Sequence, residues 1–356
     1  MALGLLALLL LLLLAQASRL IRVQARALGF PSGFPGRKGE GRLEVELFAP
    51  LPVLYRLRTH PSAPLGLEPQ EALGLAWGRL RLNLPLPYGY RRRGEHPLGL
   101  SLRLESLFGT GARTLDLEAG RALVFPPLRP LTPHRNTPSF FLEGTVRPTG
   151  LPDPLETRGL RPYRPGDPLR LLAPKASLRL GIPVVREVER TLLGSLFVHL
   201  DTQGLHPAYL DHAASLAAWL LLQAEKRGER FGLSASEVLP PGRGRAHLRR
   251  ALALLARLEP TPIPALPPLP PPGSTYILLS QCAETVLLRA LLEGMARARK
   301  GVLILLPEGY FLFPGEKGRP AFGKTPGLER VLALKDHLAA HRVELRVVRG
   351  HQTPLL

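Results

Sequence analysis

Between Leu43 and Phe125 the chain keeps returning to one pattern, apolar residues alternating with Arg, Glu or another polar residue. RLEVEL (42–47), RLRLNL (79–84) and SLRLES (101–106) show it most clearly. A period of two places successive side chains on opposite faces of an extended chain, so these runs can bury their Leu and Val only as strands with one wet face. A helix built from the same letters would scatter them around its surface. With VLYRLR, TLDLEA and ALVF the region holds six strand-like runs separated by turn residues, which predicts a small all-β, sandwich-like domain over residues 43–130. The outward Arg and Glu read as a solvated face.

After residue 195 the pattern changes to apolar strands alternating with helical segments. SLFVHLD delivers Asp201 to the end of a strand, and a helix starts near Pro207, where the missing proline N–H costs nothing. Tyr209, Leu210, Ala213, Leu216, Ala217 and Leu220 follow at helical spacing. FGLSAS, a PPGRGR loop with a helix to Leu258, a Pro/Leu-rich stretch from Pro260 to Pro272, YILLS, a helix over 286–299, VLILL, a helix over 328–340 and VELRVV complete the alternation. Such an order predicts a mostly parallel, doubly wound α/β sheet over residues 195–356, joined to the β region by a connecting segment at 131–194.

The amino terminus carries no charged side chain before Arg19, and residues 2–15 are Ala, Leu and Gly alone. At ~1.5 Å per residue the uncharged stretch reaches ~25 Å, slightly short of a ~30 Å hydrocarbon core unless Leu20, Ile21 and Val23 extend it. We expect a single transmembrane anchor over 1–23, followed by a Gly/Pro-rich linker at 24–42. A cleaved signal peptide is the alternative, since Ala15-Gln16-Ala17 has the small-x-small form of a cleavage site. The basic residues all follow the apolar run, which places the soluble part in the cytoplasm.

Lys and Arg outnumber Asp and Glu by 47 to 28, a formal charge of +19. That excess raises anionic lipid or nucleic acid as partners, with Arg243, Arg245, Arg249 and Arg250 as the patch. It is spread over both halves of the chain, however, so no sequence-specific nucleic-acid role is expected. Only two Asn and two Met fit a thermophile. A lone cysteine, Cys282, excludes an internal disulfide and reads as a small buried hydrophobe.

The stretch from Arg158 to Asp201 is the most specific text. Arg161, Tyr163, Pro165, Gly166, Asp167 and Arg170, then Lys175, Ser177 and Arg179, then Val185, Arg186, Glu187 and Glu189, resemble the signature of the bacterial domain of unknown function 58 family. RRRGEHPLGLSLRLESLFG (91–109), ALVFPPL and LPPGRGRAHLRRALALLARL (239–258) resemble further segments of that family in the same order. The resemblance implies a von Willebrand factor A-like domain after Leu196 and, as partner, a MoxR-type AAA+ ATPase served in complex assembly or maturation. It also implies two amino-terminal membrane helices, where this chain shows one apolar segment. Read physically, PYRPGDP is a rigid turn in which Asp167 can pair with neighbouring arginines.

Domains of the A-like type often hold a divalent cation through Asp-x-Ser-x-Ser. Here Asp201 is followed by Gln203 and Leu205 where the serines would stand, and Gln281 and Cys282 follow YILLS where a second Asp would help. One carboxylate and one amide oxygen make a poor cage for a hard cation, so this is a degenerate site with no metal expected. His199, His206 and His212 have no zinc-ligand spacing, GRGRAH lacks the Lys-Ser/Thr of a phosphate loop, and no nucleophile elbow occurs. The sequence thus predicts a membrane-anchored, non-enzymatic adaptor with no cofactor and no small-molecule substrate.

Overall fold

The computed structural model describes residues 20–107, 112–129, 152–165, 172–190, 195–204, 207–308, 310–312, 315–318 and 327–353. Two compact units emerge. The first is the chain up to Arg129 with Leu210–Ala218 and Arg249–Glu259; the second is Pro130–Tyr209, Trp219–Leu248 and Pro260–Leu356.

The first unit is built on one antiparallel sheet of β1 (Arg22–Leu28), β2 (Lys38–Thr59), β3 (Glu71–Gly89), β4 (Gly94–Ser106) and β5 (Ala112–Val124). Its order is β1-β2-β4-β5, with β3 also paired to β2. The alternation read from the sequence sets the faces: Leu43, Val45 and Leu47 of β2 and Leu100 and Leu102 of β4 are at most 2% exposed, while the residues between them point outward. Each such Leu contributes ~1.5–3 kcal/mol on burial. Six runs become fewer, longer strands because β2 passes through Pro50-Leu51-Pro52 without ending. Ala49 pairs with Gly78 and Val53 with Ala76, so the three residues between bulge out opposite Trp77. Prolines have no N–H for the ladder, and a bulge accommodates them. The loop after β1 curls the sheet toward closure, with the Gly33 N–H donating to the Leu123 carbonyl (3.3 Å) and the Phe125 N–H to the Gly33 carbonyl (2.7 Å). Beneath that loop Tyr90 stacks on Tyr88 at 4.7 Å and donates its hydroxyl to the Pro31 carbonyl. Burial pushes the Tyr90 phenol up to about 12.

In the second unit β6 (Pro152–Pro162), α1 (Pro174–Leu180) and β7 (Val184–Arg190) form a two-stranded antiparallel hairpin with a helical turn between its arms. Next come β8 (Ser195–Leu200), α2 (Pro207–Lys226), β9 (Arg230–Ser234), β10 (Val238–Gly242), α3 (Gly244–Ala256), β11 (Thr275–Ser280), α4 (Thr285–Gly294), β12 (Lys300–Leu305), α5 (Leu328–Ala333), α6 (Lys335–Ala340) and β13 (Val343–Val347). Six strands lie in the order β10-β9-β8-β11-β12-β13, all neighbours parallel except the antiparallel edge pair β10–β9. The central strands are buried along nearly their whole length, which is why they read as unbroken apolar runs. On one face Phe197, Tyr276, Leu278, Leu303 and Leu305 pack with Leu287, Leu288 and Leu291 of α4, Val331 of α5 and Leu338 of α6. Gly301 permits this packing, since a Cβ there would lie 2.6 Å from Met295 Sδ and 2.9 Å from Val343 Cγ2.

Parts of α2 and α3 belong to the first unit, where Arg93 fixes them. Its side chain, 7% exposed, places Nε 2.7 Å from Asp211 Oδ1, and Nη1 donates to the carbonyls of Leu255 (3.1 Å), Ala256 (3.4 Å) and Leu258 (3.1 Å). A guanidinium over the last carbonyls of α3 satisfies acceptors that the helix leaves open and opposes its dipole.

The expected architecture is therefore corrected. The described residues hold more strand than helix, and a doubly wound von Willebrand factor A-like fold does not describe the chain. Its longest strands lie in the antiparallel sheet of the first unit, and the second unit adds the β6–β7 hairpin and an antiparallel edge. No helix among the described residues is long and apolar enough to cross a membrane. Residues 1–19 lie outside the described residues, and the supposed extension of an anchor through Val23 is instead the start of β1. Arg22, Gln24 and Arg26 alternate there with half-buried Val23, Ala25 and Ala27, a period that suits pairing with β2. Residues 38–42, read as linker, open β2.

Candidate functional site at the carboxyl end of the parallel sheet

Asp201 follows directly on β8 and is fully buried, and its backbone N–H continues the ladder by donating to the Leu279 carbonyl at 2.8 Å. Oδ1 accepts the Gln203 backbone N–H at 3.0 Å and Oδ2 accepts the Ser280 hydroxyl at 2.6 Å. Ser280, the last residue of β11, in turn accepts the N–H groups of Cys282 (3.3 Å) and Ala283 (2.8 Å), pinning the turn into α4. Tyr209, on the first turn of α2, donates its hydroxyl to the Asp201 carbonyl at 2.9 Å. Two strand ends and two helix starts are thus tied to one residue, through its carboxyl group and its backbone carbonyl.

Burial pushes the Asp201 carboxyl up from 3.8 to about 6; the Ser280 and Gln203 donors pull the other way, and Glu284 adds to the rise. The Cys282 thiol is pushed up to about 11, first by burial and then by the Asp201 and Glu284 charges. The phenol of Tyr209 is raised well above its ordinary value by burial.

Outside this core the network reaches the surface. Gln203 Nε2 donates to Glu284 Oε1 at 2.8 Å and to the Pro262 carbonyl at 3.3 Å. Thr202 and Thr261 hydroxyls meet at 2.8 Å, and Gln203 and Thr261 form an isolated parallel bridge. These bonds hold the Pro/Leu-rich stretch against the end of β8, leaving Ile263, Leu266 and Leu269 exposed along it and Val286 exposed on α4.

The position read from the sequence as a degenerate metal site holds a knot of hydrogen-bond donors around Asp201. Both Asp201 oxygens already accept hydrogen bonds, Gln203 offers its amide N–H groups to other partners, and Leu205 lies outside the described residues. Among the described residues no group of three or more His, Cys, Asp or Glu side chains is placed to hold a metal ion. Of the three histidines, His199 is buried beside Ser234 Oγ at 3.1 Å, with burial lowering its pKa to about 4, His212 is half-buried on α2, and His206 lies outside the described residues.

Of the signature residues, Arg161 lies on β6 opposite Val185, Tyr163 donates its backbone N–H to the Pro183 carbonyl at 2.8 Å, and Pro165 begins the turn. Gly166, Asp167 and Arg170 lie outside the described residues. Arg179 is exposed in the last turn of α1, which Ser177 staples to β7 by donating to the Ala173 carbonyl and accepting the Val184 N–H, both at 3.0 Å. Arg243, Arg245, Arg249 and Arg250 are all exposed.

A second polar cluster lies in the first unit, in an open groove of about 400 Å³ lined by His60, His96, Asp116 and Glu118. The Ser101 hydroxyl lies 2.7 Å from His60 Nε2 and donates to Asp116 Oδ1 at 2.5 Å. The serine hydroxyl thus stands between an imidazole and a carboxylate on the open surface of the groove.

Sequence reasoning found Asp201 and Gln203 but gave Ser280, Thr261 and Glu284 no role, and assigned Tyr209 only to packing. The signal for Ser280 was its place, a lone hydroxyl ending the apolar run YILL beside the strand that ends in Asp201.

No curated protein matches the chain. Among solved structures, the ASH / PapD-like domain of human CEP192 (PapD-like domain 7) matches with 16% identity over 29% of this chain and 84% of that one, at a TM-score of 0.21, a likeness too weak to inform the fold. Residues 159–266, from within β6 into the Pro/Leu-rich stretch, match the family described as Protein of unknown function DUF58, and this match supports the DUF58 family for the chain.

Proposed function

We propose that the protein is a non-enzymatic adaptor, tethered to the membrane by its amino-terminal apolar segment with its folded part in the cytoplasm, and that it docks protein partners at the carboxyl end of the parallel sheet. One observation carries this reading. Where an open α/β sheet ordinarily binds a ligand, Asp201 is consumed internally, and the knot around it displays the apolar side chains Ile263, Leu266 and Leu269 on a proline-stiffened ridge. Proline-rich stretches lose little entropy on binding, and exposed aliphatic residues on a fixed backbone suit a protein groove.

A MoxR-type AAA+ ATPase, implied by the family resemblance, is the partner to test first. Full-length protein carrying a photocrosslinker at exposed Leu269 should capture the purified ATPase, and adding Ile263→Asp with Leu266→Asp should abolish capture. Undiminished capture by the double variant, or none by the unaltered chain, refutes docking at this ridge.

A further inference from the structure

The outer face of the first unit's sheet carries a feature that partner docking in the second unit does not use. Trp77 and Leu73, 74% and 70% exposed, stand with Leu75 on β3; Leu54 is opposite Leu75, and Phe48 is opposite Arg79, two residues from Trp77. Register-paired residues share a face, so these side chains form one apolar patch beside the Pro50-Leu51-Pro52 bulge. Arg56 lies opposite Leu73 and Arg103 opposite Arg56, joined on this face by Arg79 and by Arg22, which is opposite Phe48. Glu71 and Glu105 pair with Arg56 and Arg103. The patch is therefore apolar and aromatic within a rim in which arginines outnumber carboxylates.

Its location identifies the occupant. β1 begins at Arg22, in register with Phe48, so the chain enters the sheet at the edge of the patch, with exposed Leu20 just before it. The apolar stretch ending at Ala17 is four residues upstream. Four extended residues span only ~13 Å. A tether in the bilayer therefore holds this corner of the sheet at the headgroup layer. Tryptophan is suited to that layer, with an apolar ring and one N–H donor, and arginines at its rim can meet lipid phosphates while their stems lie along apolar surface.

We propose that this face, centred on Trp77, Leu73 and Leu75, rests in the headgroup region of an anionic bilayer and fixes the orientation of the first unit on the membrane. The inference rests on the tether proposed above. The test uses the full chain in phosphatidylglycerol-containing vesicles with Trp219→Phe, which leaves Trp77 as the sole indole. Carbonate extraction reads the tether independently.

With lipids brominated high on the acyl chain, Trp77 emission should shift to the blue and lose most of its intensity. Leu73→Asp with Leu75→Asp should restore water-like, unquenched emission. Protein that resists extraction while Trp77 stays unquenched overturns the proposal. Blue-shifted but unquenched emission also overturns it, showing a protein surface on the patch, either a second copy at β3 or the amino-terminal segment folded back. Protein that is extractable yet quenched means that the tether fails while the lipid-facing patch stands. If it is both extractable and unquenched, both readings fall.

Discussion

Replacing Asp201 by Asn tests the account of the buried knot through its pH dependence. The carboxyl rises from 3.8 to about 6 on folding, chiefly through burial. Between those values the folded protein keeps a proton that the unfolded chain releases, so unfolding is favoured as pH rises. Below 3.8 both states are protonated and the group contributes nothing. Above 6 both are ionised and the full penalty applies, ~3 kcal/mol at ~1.4 kcal/mol for each pH unit between the two values. Asn carries no such penalty. It does lose one of two hydrogen bonds, because its amide nitrogen would face either the Gln203 N–H or the Ser280 hydroxyl, at a cost of ~1 kcal/mol.

Asp201→Asn should therefore be less stable than the unaltered protein near pH 3 by ~1 kcal/mol and more stable above pH 7 by ~2 kcal/mol. The curves should cross at ~pH 4.5. Urea denaturation followed by the far-ultraviolet helix signal across this range reads both arms. A stability difference that stays constant with pH would refute the burial of an ionisable carboxyl at this position.

At Arg93, replacement by Met keeps most of the apolar stem but leaves the Asp211 carboxylate and three backbone carbonyls without their shared donor. The first unit should lose ~3–5 kcal/mol, read as a fall in its unfolding midpoint; a change under ~1 kcal/mol would mean that the guanidinium is replaced by water. Cys282 should resist alkylation in the native protein. A shift from 9.0 to about 11 lowers the thiolate fraction ~100-fold near neutral pH, before steric protection is counted, and native labelling as fast as in urea would contradict it.

Much of the strand pattern was legible because side-chain alternation records a one-sided sheet directly, as at Leu43, Val45 and Leu47. Strand number was not, because a Pro-Leu-Pro segment looks like a break and only its pairing partners, Gly78 and Ala76, show that β2 runs on. The helix expected over 286–299 ends at Gly294, where a Cβ would lie 2.9 Å from the Tyr276 ring, a tertiary approach that local periodicity cannot carry. At the candidate site the position of Asp201 at a strand end was readable. Ser280 and Thr261 were not, being 79 and 59 residues away from the Asp201 and Thr202 side chains that they contact. The overall architecture was misjudged because a regular strand-helix alternation in one part of the chain was given the weight of a whole fold.

The threading of the chain between its two units restricts how such a protein can change over time. The first unit borrows Leu210–Ala218 and Arg249–Glu259 from sequence that otherwise builds the second, and Arg93 takes every acceptor described for it from those borrowed segments. A recombination event that joined the amino-terminal 129 residues to a foreign carboxyl half would deliver a sheet without the helical segments that complete its unit and a guanidinium stripped of its acceptors. Exchange of complete modules, a common route by which multi-unit proteins diversify, is thereby discouraged in this chain. Innovation is left to point substitution and to insertions in its loops.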